Sequence, residues 1–326
     1  MAAWNTPAAG RRRPRQGRQL SPRVTNVALR RFGKIAGMEA RSGAPAISSF
    51  VALGDSFTEG LGDFAEGLDG FAGVAGAPAP EGGRWGGWAD RFADRLAEAR
   101  PGLCYANLAV RGKLLREVGA EQVPRALAMR PDLVSLAAGG NDLLRPGADP
   151  DVLGQVLDDQ VRQLTAAGCA VLLFTGFDPG TFPLIRLIRR RAAIFNAYIR
   201  VAARRRGCHL VDLWSMRVLR DPREWCADRL HMNPDGHRRV ALRACEVMGV
   251  TVEADWREPL PGEPAATAAL ARVAQRLAAR REDARWAKEH AAPWISRRLR
   301  GASSGDGAMA KRPELLPLVT TRAGTN

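Results

Sequence analysis

A chain of 326 residues with 46% hydrophobic side chains has room for one large α/β domain with appendages, or for two small domains. No apolar run reaches the ~18 residues a membrane-spanning helix needs. No signal-peptide pattern follows the basic start either, so a cytoplasmic location is expected. The net charge of +15 sits at the ends: residues 1–46 hold nine Arg and one Lys against Glu39, and residues 293–326 hold six Arg or Lys against Asp306 and Glu314. The body between is nearly neutral, which argues against obligatory nucleic-acid binding. The basic tails are expected to be disordered, with weak contact to an anionic surface as their most specific role.

Residues 1–46 show no periodicity and read as a disordered extension. Met38, just before the folded region, is a candidate start; a native N-terminal peptide beginning earlier would exclude it. From Ser48 strands and helices alternate. Strand one is expected over Phe50–Leu53, followed by a Gly/Ala/Pro loop over Gly62–Gly87. Apolar spacing at Trp88, Phe92 and Leu96 predicts a helix over Trp88–Arg100, stopped by Pro101-Gly102. Strand two falls at Leu103–Leu108, then a helix over Gly112–Arg130, interrupted near Pro124. Strand three is Asp132–Ala138. A helix over Asp149–Ala167 follows, with Gly168 as its C-cap. Strand four is Ala170–Thr175, then an Arg-rich helix over Leu184–Arg206, strand five at Cys208–Leu213 and a helix over Pro234–Met248. Residues 251–292 read as a linker and an Ala/Arg-rich helix, Ala265–Ala292, packing on the body. Residues 293–326 read as a disordered tail. Strands separated by helices imply a parallel sheet covered on both faces, a three-layer α/β/α architecture spanning 47–250.

In such sheets ligands bind beyond the carboxyl ends of the strands. Strand one ends in Gly54-Asp55-Ser56-Phe57. Asn107 to Gly112 follows strand two, and Gly139-Gly140-Asn141-Asp142 follows strand three. Asp228 to His231 lies well past strand five. A serine nucleophile at Ser56 needs a base, for which His231 is the best candidate. The base needs an acceptor on its other ring nitrogen, and Asp228 is three residues away. The N–H groups of Ser56 and Gly112 and the amide of Asn141 are available to hold an oxyanion.

This ordered set resembles the four blocks of the SGNH (GDSL-type) hydrolases over about Phe50 to Met248, with Phe57 where the family has Leu. The resemblance implies a flavodoxin-like fold with five parallel strands and an oxyanion hole of Ser56, Gly112 and Asn141. It implies a triad completed by Asp228 and His231, and no metal or organic cofactor. The expected activity is hydrolysis of a small-molecule or lipid carboxylic ester. Acyl-thioesterase, lysophospholipase and sugar O-deacetylase activities are the rivals within the fold. A non-catalytic module, or a nucleic-acid-associated protein acting through its tails, stands outside it.

Other residues invite plainer readings. Asp55 adjoins the serine and suits a helix cap better than a triad. Asp142 and His237 read as structural, His209 as a core or strand-edge residue, and His290 as solvated. The acidic run Glu59, Asp63, Glu66 and Asp69 reads as solvated, and so does the arginine face of residues 186–206, with an anionic partner as its sharper reading. The apolar turn Phe177–Pro183 is placed beside the cleft, either lining an acyl pocket or capping the sheet. Five scattered cysteines without CxxC spacing exclude a disulfide framework or zinc site, and Cys104, Cys169 and Cys208 read as core residues.

Overall fold

The computed structural model describes residues 47–63, 86–181, 185–261, 285 and 305–318. The basic extension 1–46, most of the Gly/Ala/Pro loop, the helix expected at Ala265–Ala292 and much of the tail lie outside the described residues, as do Glu66, Asp69 and His290.

β1 (Ser49–Gly54) leads into a single turn of helix, α1 (Ser56–Glu59). α2 (Trp88–Ala99) and β2 (Cys104–Asn107) follow. The next helical run comes in three pieces: α3 (Leu115–Glu117), a π-turn over Val118–Gln122, and α4 (Val123–Met129). It starts later than the sequence suggests and runs through Pro124, because the π-turn places that proline in the first turn of α4, where a missing N–H is tolerated. β3 (Leu133–Ala137), α5 (Gly140–Leu143), α6 (Pro150–Ala166) and β4 (Ala170–Phe174) come next. A 3-10 turn, Ile185–Ile188, opens α7 (Arg189–Arg206). β5 is only His209–Val211, and α8 spans Pro234–Met248.

The strand order is β5-β4-β3-β1-β2, with β6 (Arg312–Pro317) added beside β2. The first five strands are parallel; β6 runs antiparallel to β2. This sixth strand corrects the expectation of a wholly disordered tail. Pro313 and Pro317 hide it in the sequence, yet both are compatible with an edge strand, where an N–H need not join the ladder.

Alternate residues of β1 enter opposite layers. Phe50 and Ala52 pack with Trp88, Phe92 and Leu96 of α2 and with Val240 and Ala244 of α8. Val51 and Leu53 pack with Val161 and Leu164 of α6 and with Phe195 and Ile199 of α7. That is why the strand reads as an unbroken apolar run. Each Leu- or Phe-sized side chain so buried contributes about 1.5–3 kcal/mol. The chain steps from β1 to β2 on one side and crosses to β3 on the other. The carboxyl end of β1 is therefore the switch point of the sheet, where a crevice opens.

Cys169 and Cys245 are buried, while Cys104 and Cys208 are only half-buried. His209 lies exposed on the edge strand β5.

Candidate active site

β1 ends at Gly54, where a Cβ would lie 2.3 Å from the Ala137 carbonyl oxygen. Only glycine allows β1 and β3 to end this close together. Both backbone groups of Gly54 are clamped by the Gln122 side chain, which accepts from its N–H at 2.8 Å and donates to its carbonyl at 2.9 Å. Asp55 caps α1 by accepting from the Phe57 N–H at 3.1 Å. Ser56 is the first helical residue, so its N–H has no intrahelical acceptor.

Ser56 Oγ lies 3.1 Å from His231 Nε2, and His231 Nδ1 lies 2.6 Å from Asp228 Oδ2. The other Asp228 oxygen accepts from the N–H groups of Leu230 and His231, each at 3.0 Å. Arg229 between them adopts φ 53°, a left-handed conformation unfavourable for a side chain of this kind. The chain accepts that strain to bend Leu230 and His231 back over the carboxylate. A pinch holds this loop at its base: Trp225 bridges Met232, Cys226 N–H donates to His231 O at 2.9 Å, and Asn233 N–H donates to Glu224 O at 3.0 Å. Below it, buried Glu224 faces Arg239 of α8 at 2.9 Å. Neither residue stood out in the sequence, because a pair fifteen positions apart carries no local signature.

The carboxyl groups have distinct electrostatics. Burial works to raise Asp228, but the His231 hydrogen bond and charge and the two backbone N–H groups outweigh it and hold the carboxyl at about 2. Asp228 is thus ionised throughout the neutral range. Burial pushes Asp55 up to about 6, against the Phe57 N–H and the His231 charge. Burial also raises Asp142, whose Oδ2 accepts from the Leu115 N–H at 3.0 Å and so ties α5 to α3.

Asn141 donates its side-chain amide to Asp55 Oδ2 at 3.1 Å and to Lys113 O at 3.2 Å. Its own turn depends on Gly139, at φ 104°, where a Cβ would strike the Phe195 ring at 2.6 Å. Gly112, at φ 76°, sits between two anchored neighbours. The Arg111 N–H donates to Glu59 Oε2 at 2.6 Å, and Lys113 O receives Asn141. The structure therefore gathers all five sequence-selected residues, Ser56, Gly112, Asn141, Asp228 and His231, around the end of β1.

The acidic run is not a solvated loop where it is described. Glu59 and Asp63 are buried, Glu59 paired with Arg111 at 2.5 Å and Asp63 with Arg91 at 2.7 Å. His237 is fully buried and structural: its Nδ1 accepts from the Trp88 N–H at 3.2 Å, and its Nε2 donates to Leu61 O at 3.1 Å. Those partners select the neutral ring, and burial holds its pKa below the ordinary value. Several α7 arginines are engaged locally. Arg189 pairs with Asp178 at 2.6 Å and lies over Trp214, and Arg206 pairs with Asp158 at 2.5 Å. Phe177 packs against Trp225 at 4.3 Å, on the loop that leads to His231.

These shifts set the acid response. Burial raises Asp55 and Asp90 to about 6 and Glu224 to about 7. The folded chain takes up these protons before the unfolded chain does, so each group adds stability as pH falls through its folded value. His237 acts oppositely below its unfolded pKa of about 6.5. The carboxyls raised by burial outnumber His237 and predict a thermal midpoint that rises from pH 8 to about pH 5. It then falls below about pH 4 as Asp228, held at about 2, gives up its contribution. Scanning calorimetry across that range checks the order; a monotonic fall from pH 8 contradicts it.

A profile of the GDSL-like Lipase/Acylhydrolase family matches residues 52–239, more than half of the chain, and the protein belongs to that family. It is an ester-hydrolysing enzyme of the SGNH fold. Among solved structures it resembles LAE5, an alpha/beta hydrolase enzyme from the metagenome of Lake Arreo, Spain. That match has 24% identity and a TM-score of 0.51, and covers 62% of this chain and 95% of the other. It also resembles a variant of Axe2, an acetyl xylan esterase from Geobacillus stearothermophilus, at 20% identity and a TM-score of 0.51, over 65% of this chain and 100% of the other. These likenesses support the fold. Among curated proteins, none matches the chain. No helix among the described residues is long and apolar enough to cross a membrane, and no group of His, Cys, Asp and Glu among them is arranged to hold a metal ion.

Proposed function

We propose that the protein is a serine esterase that hydrolyses a carboxylic ester through an acyl-enzyme on Ser56. The observation that carries this reading is the line from Ser56 Oγ to His231 Nε2 to Asp228, at 3.1 and 2.6 Å. His231 Nε2 takes the Ser56 proton as Oγ attacks the acyl carbon. The carbonyl oxygen becomes an oxyanion held by the Ser56 and Gly112 N–H groups and the Asn141 amide. For that, Asn141 exchanges its 3.2 Å contact with Lys113 O while Asp55 keeps the amide aligned. Collapse breaks the ester C–O bond, and the leaving oxygen takes the proton from His231. Water, deprotonated by His231, then attacks the acyl-enzyme. Ser56 leaves with the returned proton, and the acid is released.

Thioester, lysophospholipid and acetylated-sugar substrates would use the same attack, so substrate choice rests on the pocket beyond it. A panel of short- to long-chain nitrophenyl esters, acyl-CoAs and acetylated sugars, run with wild type and Ser56→Ala, tests the reading. We expect Ser56-dependent turnover that is highest on a carboxylic ester. Turnover that is higher on acyl-CoA reassigns the acyl donor, and turnover independent of Ser56 overturns the proposal.

A further inference from the structure

The family match ends at residue 239, yet residues 305–318 return to the catalytic edge of the sheet. We propose that this segment is a strap that sets the oxyanion-binding peptide and the serine turn, with Lys311 as a positioning residue. The inference rests on the site reading above.

Two contacts carry it. First, a Cβ at Gly305 would lie 1.9 Å from the Arg111 carbonyl oxygen and 3.3 Å from Val110 Cγ1. The Arg111 carbonyl and the Gly112 N–H belong to one planar peptide, so fixing the carbonyl fixes the direction of the N–H. Gly305 backs that peptide from one side, while the Glu59 carboxylate holds the Arg111 N–H at 2.6 Å. Ala310, also buried, joins Val110 in the same apolar cluster.

Second, the Lys311 side chain is 2% exposed. Its ammonium donates to Gly86 O at 2.9 Å and pairs with Asp90. Asp90 Oδ1 accepts from Tyr105 OH at 3.2 Å, and that hydroxyl accepts from Asn107 Nδ2 at 3.1 Å. The Asn107 amide also donates to Thr58 O of α1 at 2.9 Å, and its Oδ1 accepts from the Ala109 N–H at 3.1 Å. One buried chain of hydrogen bonds thus runs from Lys311 to the helix that begins with Ser56 and to the loop that carries Gly112. β6 anchors it: Arg312 Nε donates to Tyr105 O at 2.9 Å, and the Leu318 N–H donates to Leu103 O at 2.8 Å. A buried network satisfied along its length holds its members in one arrangement.

The test uses full-length protein, a short-chain nitrophenyl ester, and thermal midpoints to confirm folding. Gly305→Ala forces the Arg111–Gly112 peptide to move. The pair Lys311→Met with Asp90→Asn removes the clamp without leaving a lone buried charge. Both should lower kcat about tenfold with KM within about twofold, the pattern of an interaction realised in the transition state. Wild-type kcat in folded Gly305→Ala, or a change confined to KM, overturns the strap. Wild-type kcat in the folded pair removes Lys311 from it; if the pair fails to fold, Gly305→Ala decides. Ser56→Ala runs alongside: full turnover there defeats the site reading and the strap together, while an inactive Ser56→Ala beside an unimpaired Gly305→Ala defeats the strap alone.

Discussion

Replacing Ser56 by Ala should lower the turnover of an ester by about 10⁴-fold or more, with KM little changed. The variant keeps the oxyanion donors and the pocket but has no oxygen to attack the acyl carbon. What remains is attack by water near His231, a slower route. The fold should survive, because the lost side chain makes one 3.1 Å hydrogen bond at the surface of the crevice. A bond of that kind contributes about 1 kcal/mol. Steady-state kinetics with a nitrophenyl ester, beside a thermal melt, separates lost chemistry from lost structure.

Asp228→Asn should be nearly as damaging, lowering kcat by about 10⁴-fold, for a reason specific to this loop. Asp228 Oδ1 accepts two backbone N–H groups, from Leu230 and His231. In the variant these donors hold the amide oxygen in that position and turn the NH₂ group toward His231 Nδ1. The ring must then accept at Nδ1 and carry its proton on Nε2. It would face Ser56 as a donor, unable to take the proton. A nitrogen NMR measurement of the His231 tautomer, made beside the kinetics, checks the cause: the proton should move from Nδ1 to Nε2. An unchanged tautomer with undiminished kcat contradicts this account of Asp228.

The candidate site was largely legible in the sequence because its residues sit in short motifs, those after β1, β2 and β3 and one on the loop before α8. Gly54-Asp55-Ser56, Gly139-Gly140-Asn141 and Asp228 to His231 are local patterns, and the sheet brings them together. Their supports were not legible. Gln122 clamps Gly54 from 68 positions away, and Lys311 reaches Asp90 from 221 positions away. Nothing in the spacing of either pair announces it. Glu59 and Asp63 read as solvated because their partners, Arg111 and Arg91, lie on other elements. β6 was missed because two prolines and two charges mask a strand that needs hydrogen bonds on one side only. The two histidines, read differently in the sequence, also differ in their partners. Both nitrogens of His237 are held by backbone groups, whereas His231 turns one nitrogen to a carboxylate and the other to a hydroxyl.

The most direct test of Ser56 as the nucleophile is covalent capture by a fluorophosphonate, whose phosphorus is attacked by an activated serine oxygen with loss of fluoride. Mass spectrometry of the labelled, digested protein should find one adduct, on the peptide containing Ser56, and none in Ser56→Ala. An adduct on another residue, or equal labelling of the Ser56→Ala protein, would contradict the account.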